Sequence, residues 1–204
     1  ARDIRALPRL EGTVHVNIAL IVKFMQNYFF NPGKLPEIGK IMHTGSDEFL
    51  FNQGPARGLG KIQFHDYRPI FDQFDIPNVN IFKKQIEVFK QFLAAATPDD
   101  EQQKDIDFLM GLGEIFTLVV YGQMVLEEAK LESLEADLID QIFDVMVRDF
   151  SKFSVELYGK QSTTREQMEY CLKMIEKPAV DKPRYENIWA NYVHALKDTY
   201  IMNE

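Results

Sequence analysis

Apolar residues recur at intervals of three and four along most of this chain, and the alternation by twos that marks a half-buried strand is missing. The pattern predicts an all-α protein, a helical bundle with one long irregular connection near residues 31–77. A first helix is expected from about Val14 to Tyr28, with Thr13 as its N-cap. Val16, Ile18, Leu20, Ile21, Phe24 and Met25 make it apolar on most sides, which suits a helix inside a larger assembly. Residues 31–77 hold five of the nine prolines and a concentration of glycines, punctuation that opposes long regular elements. Phe49, Leu50, Phe51, Phe64, Tyr67, Phe71 and Phe74 stud the same stretch, and a disordered linker would be poorer in aromatics. An ordered wrap is expected there, with a short helix near Tyr67–Phe74.

The remaining helices follow from the same spacing. One over about Val79 to Ala96 places Phe82, Ile86, Phe89 and Leu93 on a single stripe. Thr97 then caps a helix whose first position is Pro98, a favoured place for proline, running to about Leu131. Gly111, Gly113 and Gly122 cost that helix propensity and suit the close approach of a neighbour. The next, about Leu134 to Tyr158, carries Leu138, Ile142, Met146, Phe150, Phe153 and Leu157 on one face. Ile139, Phe143 and Val147 lie on another, so either a central position or an additional interface is expected. Gly159 stops it as a C′ glycine. Thr163 with Glu166 matches a capping box that opens a helix to about Glu176. A final helix starts near Asp181–Pro183 and shows Tyr185, Ile188, Trp189, Tyr192, Val193, Leu196 and Tyr200, a bundle pattern.

Composition narrows the function classes. The chain has 204 residues and a formal net charge of −8, which argues against a general nucleic-acid binder. Residues 99–158 carry fifteen acidic and four basic side chains. A solvated helix face is the ordinary reading, and an electrostatic docking face for a redox partner is the sharper one. The single Cys171 excludes an internal disulfide and a Cys-based zinc site, and it falls on an apolar helix face as a packed core thiol. It also suits a reducing, cytoplasmic setting. Ile115–Leu126, the longest apolar stretch, is too short for a bilayer, so no transmembrane segment is expected. No metal site is expected either: Glu11 and His15 lack further ligands, and Glu-x-x-His does not occur. His65 and Asp66 are placed for a local hydrogen bond.

One motif points to chemistry. Glu11-Gly12-Thr13 sets a carboxylate, a glycine and a hydroxyl residue just before the first apolar helix. Arg2 and Asp3 precede Glu11 by nine and eight positions, Arg5 follows Asp3 by two, and Val16-Asn17 comes after. These residues together resemble the end of the catalytic core in acyl-CoA dehydrogenases. Leu10, Val16 and Asn17 replace the Tyr, Ile and Gln usual there. The stretch around Leu118-Val119-Val120-Tyr121-Gly122-Gln123 is similar to the extra C-terminal region of larger members, including actinobacterial ones.

The resemblance implies a C-terminal portion of a longer flavoenzyme, and the start at Ala1 without an initiator Met agrees with that expectation. Residues 1–30 would end the catalytic helical domain, 31–77 would connect, and 78–204 would form an added helical bundle domain. It further implies FAD, an acyl-CoA substrate, an electron-transfer flavoprotein as acceptor, and a homo-oligomer such as a homodimer, working in fatty acid β-oxidation. By resemblance Glu11 is the general base, and a Glu in a dry apolar pocket gains basicity through desolvation. Gly12 would let substrate approach the backbone closely. Thr13 and Asn17 match positions that help hold the flavin nucleotide. The contrasting expectation is a non-catalytic helical interaction and oligomerisation module.

Overall fold

A computed structural model of the chain describes residues 13–34, 62–197 and 199. Those residues form an all-α bundle with no strand among them; the nearest approach to sheet is an isolated parallel bridge between Gly33 and His65. In chain order the helices are α1 (Val14–Ile21), α2 (Met25–Phe30), α3 (Arg68–Phe71), α4 (Pro77–Ala95), α5 (Ile106–Glu132), α6 (Ala136–Tyr158), α7 (Arg165–Lys173) and α8 (Lys182–Ile188). The expected first helix is divided: a 3-10 turn, Val22–Phe24, separates α1 from α2. The short helix near Tyr67–Phe74 is α3, while Phe49, Leu50 and Phe51 lie outside the described residues.

Helix α6 is central, packing against α4, α5, α7 and α8. The stripe Phe82, Ile86, Phe89 and Leu93 of α4 is buried against it, together with Phe143, Met146, Val147, Phe150 and Leu157 of α6. An aromatic seam runs through this core. Tyr28 stacks on Tyr67 at 5.4 Å, Phe71 on Phe82 at 6.1 Å, and Phe82 meets Phe143 edge-on at 5.3 Å. Edge-to-face and offset rings of this kind add about 0.5–1.5 kcal/mol each beyond area burial. Met25, Tyr28 and Phe29 of α2 belong to the same core, so side-chain packing crosses the boundary expected near residue 30. Helix α5 is long and apolar enough to cross a membrane by length and composition, but half of its most apolar window is buried inside the bundle.

The glycines of α5 act as anticipated. A Cβ on Gly122 would come 2.8 Å from the Phe82 ring, and one on Gly113 would come 2.5 Å from the Ile18 carbonyl oxygen of α1. Several helix ends differ from expectation. Thr97 does not start α5; its hydroxyl donates to Leu93 O at 3.1 Å and closes α4. Asp105 is the cap, accepting from Asp107 N and Phe108 N. Its carboxyl is held below the ordinary carboxylate range, first by the Ser162 hydroxyl and then by the Phe108 amide. Thr163 and Glu166 do not make the capping box; Thr164 and Gln167 do, one residue on. Helix α6 does stop at Gly159, but as a cap with a right-handed φ of −82°, not the left-handed geometry usual for a C′ glycine. Left-handed geometry falls instead on Ser133, φ 54°, where α5 turns into α6. The terminal aromatics are not core: Tyr185, Trp189, Tyr192, Val193 and Leu196 are exposed, on α8, a π-turn (Trp189–Val193) and a 3-10 turn (His194–Leu196).

Candidate functional site

Helix α1 begins where the motif ends. Thr13 is extended (φ −73°, ψ 151°), and its hydroxyl oxygen accepts from Val16 N at 3.3 Å. That bond satisfies one of the amides a helix start leaves open. The hydroxyl proton stays available to a further acceptor. Asn17 lies one turn on, and its amide N–H donates to Thr13 O at 3.1 Å. Both side chains are exposed on one edge of the helix. An exposed hydroxyl and carboxamide beside the positive end of a helix fit one edge of a nucleotide site. Glu11 and Gly12 lie outside the described residues, as do Arg2, Asp3 and Arg5.

The setting of α1 is unusual. None of its eight residues is buried, although five of them are Val, Ile or Leu. One flank approaches α5 at Gly113. On the other flank Val16 and Leu20 are 53% and 46% exposed, and Val14, one turn before Ile18, is 46% exposed.

A polar cluster that sequence reasoning missed pins the stretch before α3 to α5. Tyr28 donates to Gln123 Oε1 at 2.6 Å, and Gln123 Nε2 donates to Glu127 Oε1 at 2.8 Å. His65 Nε2 lies 2.6 Å from the same Glu127 oxygen. The same nitrogen lies 2.6 Å from Gln123 Nε2, so whether it donates or accepts turns on the His65 tautomer. Burial raises the Tyr28 hydroxyl well above the usual phenol range, so it stays a neutral donor. His65 is therefore not bonded to Asp66, which pairs with Arg68 at 2.6 Å instead. The spacing of Gln123 and Glu127 was the only sequence signal, since residues four apart on a helix share a face.

Elsewhere the polar groups are structural. Arg184 is buried and donates to Asp140 and Asp144, tying α8 to α6. Cys171 is fully buried, and burial pushes its thiol up to about 12. It is the packed thiol expected. Among the described residues no group of three or more His, Cys, Asp or Glu side chains could hold a metal ion. No family model, curated protein or solved structure matches this chain.

Proposed function

We propose that this chain completes an acyl-CoA dehydrogenase-like flavoenzyme that forms an α,β double bond in acyl-CoA thioesters. The observation that carries the reading is α1. It starts three residues after Glu11, its cap is the motif's own Thr13, and its outer flank leaves the apolar Val16 and Leu20 about half exposed. A helix of that kind suits the last element of a second body's core.

In this reading Glu11 takes the α-proton of the thioester. A carbon acid that weak needs a base that is close and desolvated. Leu10 and Val14, near Glu11 in sequence, would suit an apolar pocket, which would raise the proton affinity of the carboxylate. Gly12 lets the substrate carbonyl approach the main chain. Thr13 and Asn17 hold polar atoms of the flavin nucleotide, and FAD, when bound, supplies the hydride acceptor. An electron-transfer flavoprotein and a homo-oligomeric state belong to the same reading. This chain alone is expected to be inactive.

A second reading, a non-catalytic helical interaction module, is favoured by the exposed Tyr185–Trp189 stack, whose rings lie 6.2 Å apart on the bundle surface. The intact gene product separates the two. Glu11→Gln in that protein should lower acyl-CoA oxidation about a thousandfold, the scale of a lost general base, with flavin retained. Undiminished turnover removes Glu11 from the role. A protein that binds no flavin removes the dehydrogenase reading.

A further inference from the structure

A second feature lies away from the helix start. Between the α1–α2 corner and the junction of α4 with α5 is a groove of about 480 Å³. That is the size of a small-molecule site. Its walls are mostly apolar, with Val22, Met25 and Phe30 on one side and Leu93, Leu109 and Leu112 on the other, and Gln26, Thr97 and Gln103 add neutral polar groups. Met25, Leu93 and Leu112 form a buried floor, while Val22, Phe30 and Leu109 are half-buried at the mouth. One charged side chain lines the groove, Lys23 on the 3-10 turn, and it is exposed. Among the described residues no Asp or Glu lines it and none pairs with Lys23.

This contrasts with the rest of the surface. The protein is net acidic, and the other larger clefts mix both signs, as where Lys130 lies with Glu127 and Asp66, or Arg148 with Asp144 and Asp181. A lone cation at the edge of a water-excluding groove favours a single negative charge on an apolar body. The other polar groups in the lining, Gln26, Thr97 and Gln103, are neutral, so the groove offers one cation for one anionic group.

We propose that this groove binds a medium-chain monocarboxylate, with its tail between Met25, Leu93 and Leu112 and its carboxylate on the Lys23 ammonium. The site uses only described residues of the bundle, and its test does not depend on Glu11.

Met25 supplies the reporter. The chain, labelled with ¹³C at its methionine methyls, is titrated with sodium octanoate and followed by NMR. Saturable movement of the Met25 signal in the millimolar range or below is expected, the affinity scale of a ten-heavy-atom ligand. Butyrate should bind at least tenfold more weakly, because each buried methylene contributes. Octanamide should bind roughly fivefold more weakly, as an exposed ion pair implies, and Lys23→Ala should bring octanoate to the octanamide level. Lys23 is exposed, so the variant keeps its fold, and circular dichroism checks this. Any of four results overturns the proposal: no Met25 movement at 10 mM octanoate, butyrate binding as well as octanoate, octanamide binding as well as octanoate, or an unchanged Lys23→Ala titration. Met25 movement on raising protein concentration without ligand also overturns it, because a second copy then fills the groove.

Discussion

Gly113→Ala sets two known effects against each other. Alanine gains about 1 kcal/mol over glycine in a helix interior. The added methyl would lie 2.5 Å from the Ile18 carbonyl oxygen and 2.6 Å from Ile18 Cγ2, where real contacts are no shorter than 3.0 Å. Relief of such overpacking costs about 1–3 kcal/mol. The nearer atom belongs to the backbone, so no rotamer change clears it and α1 must move as a unit. What holds α1 is modest: Ile18, Ala19 and Ile21 are half-buried and none of its residues is fully buried. Half-burying such side chains contributes roughly 1 kcal/mol each, so the docking of α1 is comparable to the overlap. The prediction is local release: α1 leaves α5 while the bundle keeps its core and its own helix propensity.

Hydrogen exchange read by mass spectrometry separates local from global effects. Amides of residues 14–21 should exchange about tenfold faster in Gly113→Ala, with the thermal midpoint of the bundle held or slightly raised. Gly159→Ala is the control. Its added methyl meets nothing nearer than 3.7 Å, and φ is −82°, which alanine adopts freely. It should gain about 0.4–1 kcal/mol, a rise of roughly 1–4 °C. Unchanged exchange over 14–21 in Gly113→Ala would refute the close approach of α1 and α5.

Two further perturbations probe the interior. Arg184→Met leaves Asp140 and Asp144 in the bundle without their buried cation and should cost about 3–5 kcal/mol in urea unfolding; a loss below about 1 kcal/mol would show that the buried arginine is not what neutralises them. Cys171 titrates only near pH 12 when folded, but from about pH 8.5 when unfolded. Its protonated form is the one the fold favours, so that contribution is complete below about pH 8.5 and declines as pH rises toward 12. The urea midpoint should therefore fall between pH 9 and 11, and less steeply in Cys171→Ala. Some slope remains in the variant, because Tyr28 and Tyr67 are raised by burial in the same sense. A native thiol labelled fully by Ellman's reagent at pH 8 contradicts the burial of Cys171.

Periodicity carried the helices because their core faces are long and regular. The α4 stripe is buried as its spacing named it, and of the two α6 faces Ile139, Phe143, Met146, Val147, Phe150 and Leu157 are buried while Leu138, Ile142 and Phe153 are half-buried. Helix ends were harder to read, since a cap is decided by one side chain. Between Thr97 and Asp105 the chain offers three capping carboxylates, and only the geometry selects Asp105. Thr163 and Thr164 present the same hydroxyl one residue apart, and the buried pairing of Gln167 with Gln102 at 2.8 Å decides for the second. The terminal aromatics misled because their helical spacing is real. They follow α8 into a π-turn on the surface, and the strongest tie there is Arg184 to α6, a polar contact no hydrophobic pattern encodes. The His65–Gln123–Glu127 cluster joins residues about sixty positions apart, beyond the reach of local spacing.

The outer flank of α1 offers the most direct test of whether this chain finishes another body. Val16 and Leu20 are about half exposed and lie one turn apart. If their present surroundings are their final ones, Val16→Glu with Leu20→Lys forms a solvated i,i+4 pair and changes stability within about 0.5 kcal/mol per site. If a flavin-bearing core covers that flank in the intact gene product, the same two charges must leave water together. Even a paired burial costs several kcal/mol before any attraction is regained. The double variant should thus leave the thermal midpoint of this chain unchanged within a degree or two, and lower that of the intact protein by at least 5 °C with loss of flavin. Equal tolerance in both proteins would leave the apolar flank as bare surface and remove the support α1 lends to the dehydrogenase reading. Equal loss in both would show that Val16 and Leu20 are held by the bundle itself, contrary to their exposure.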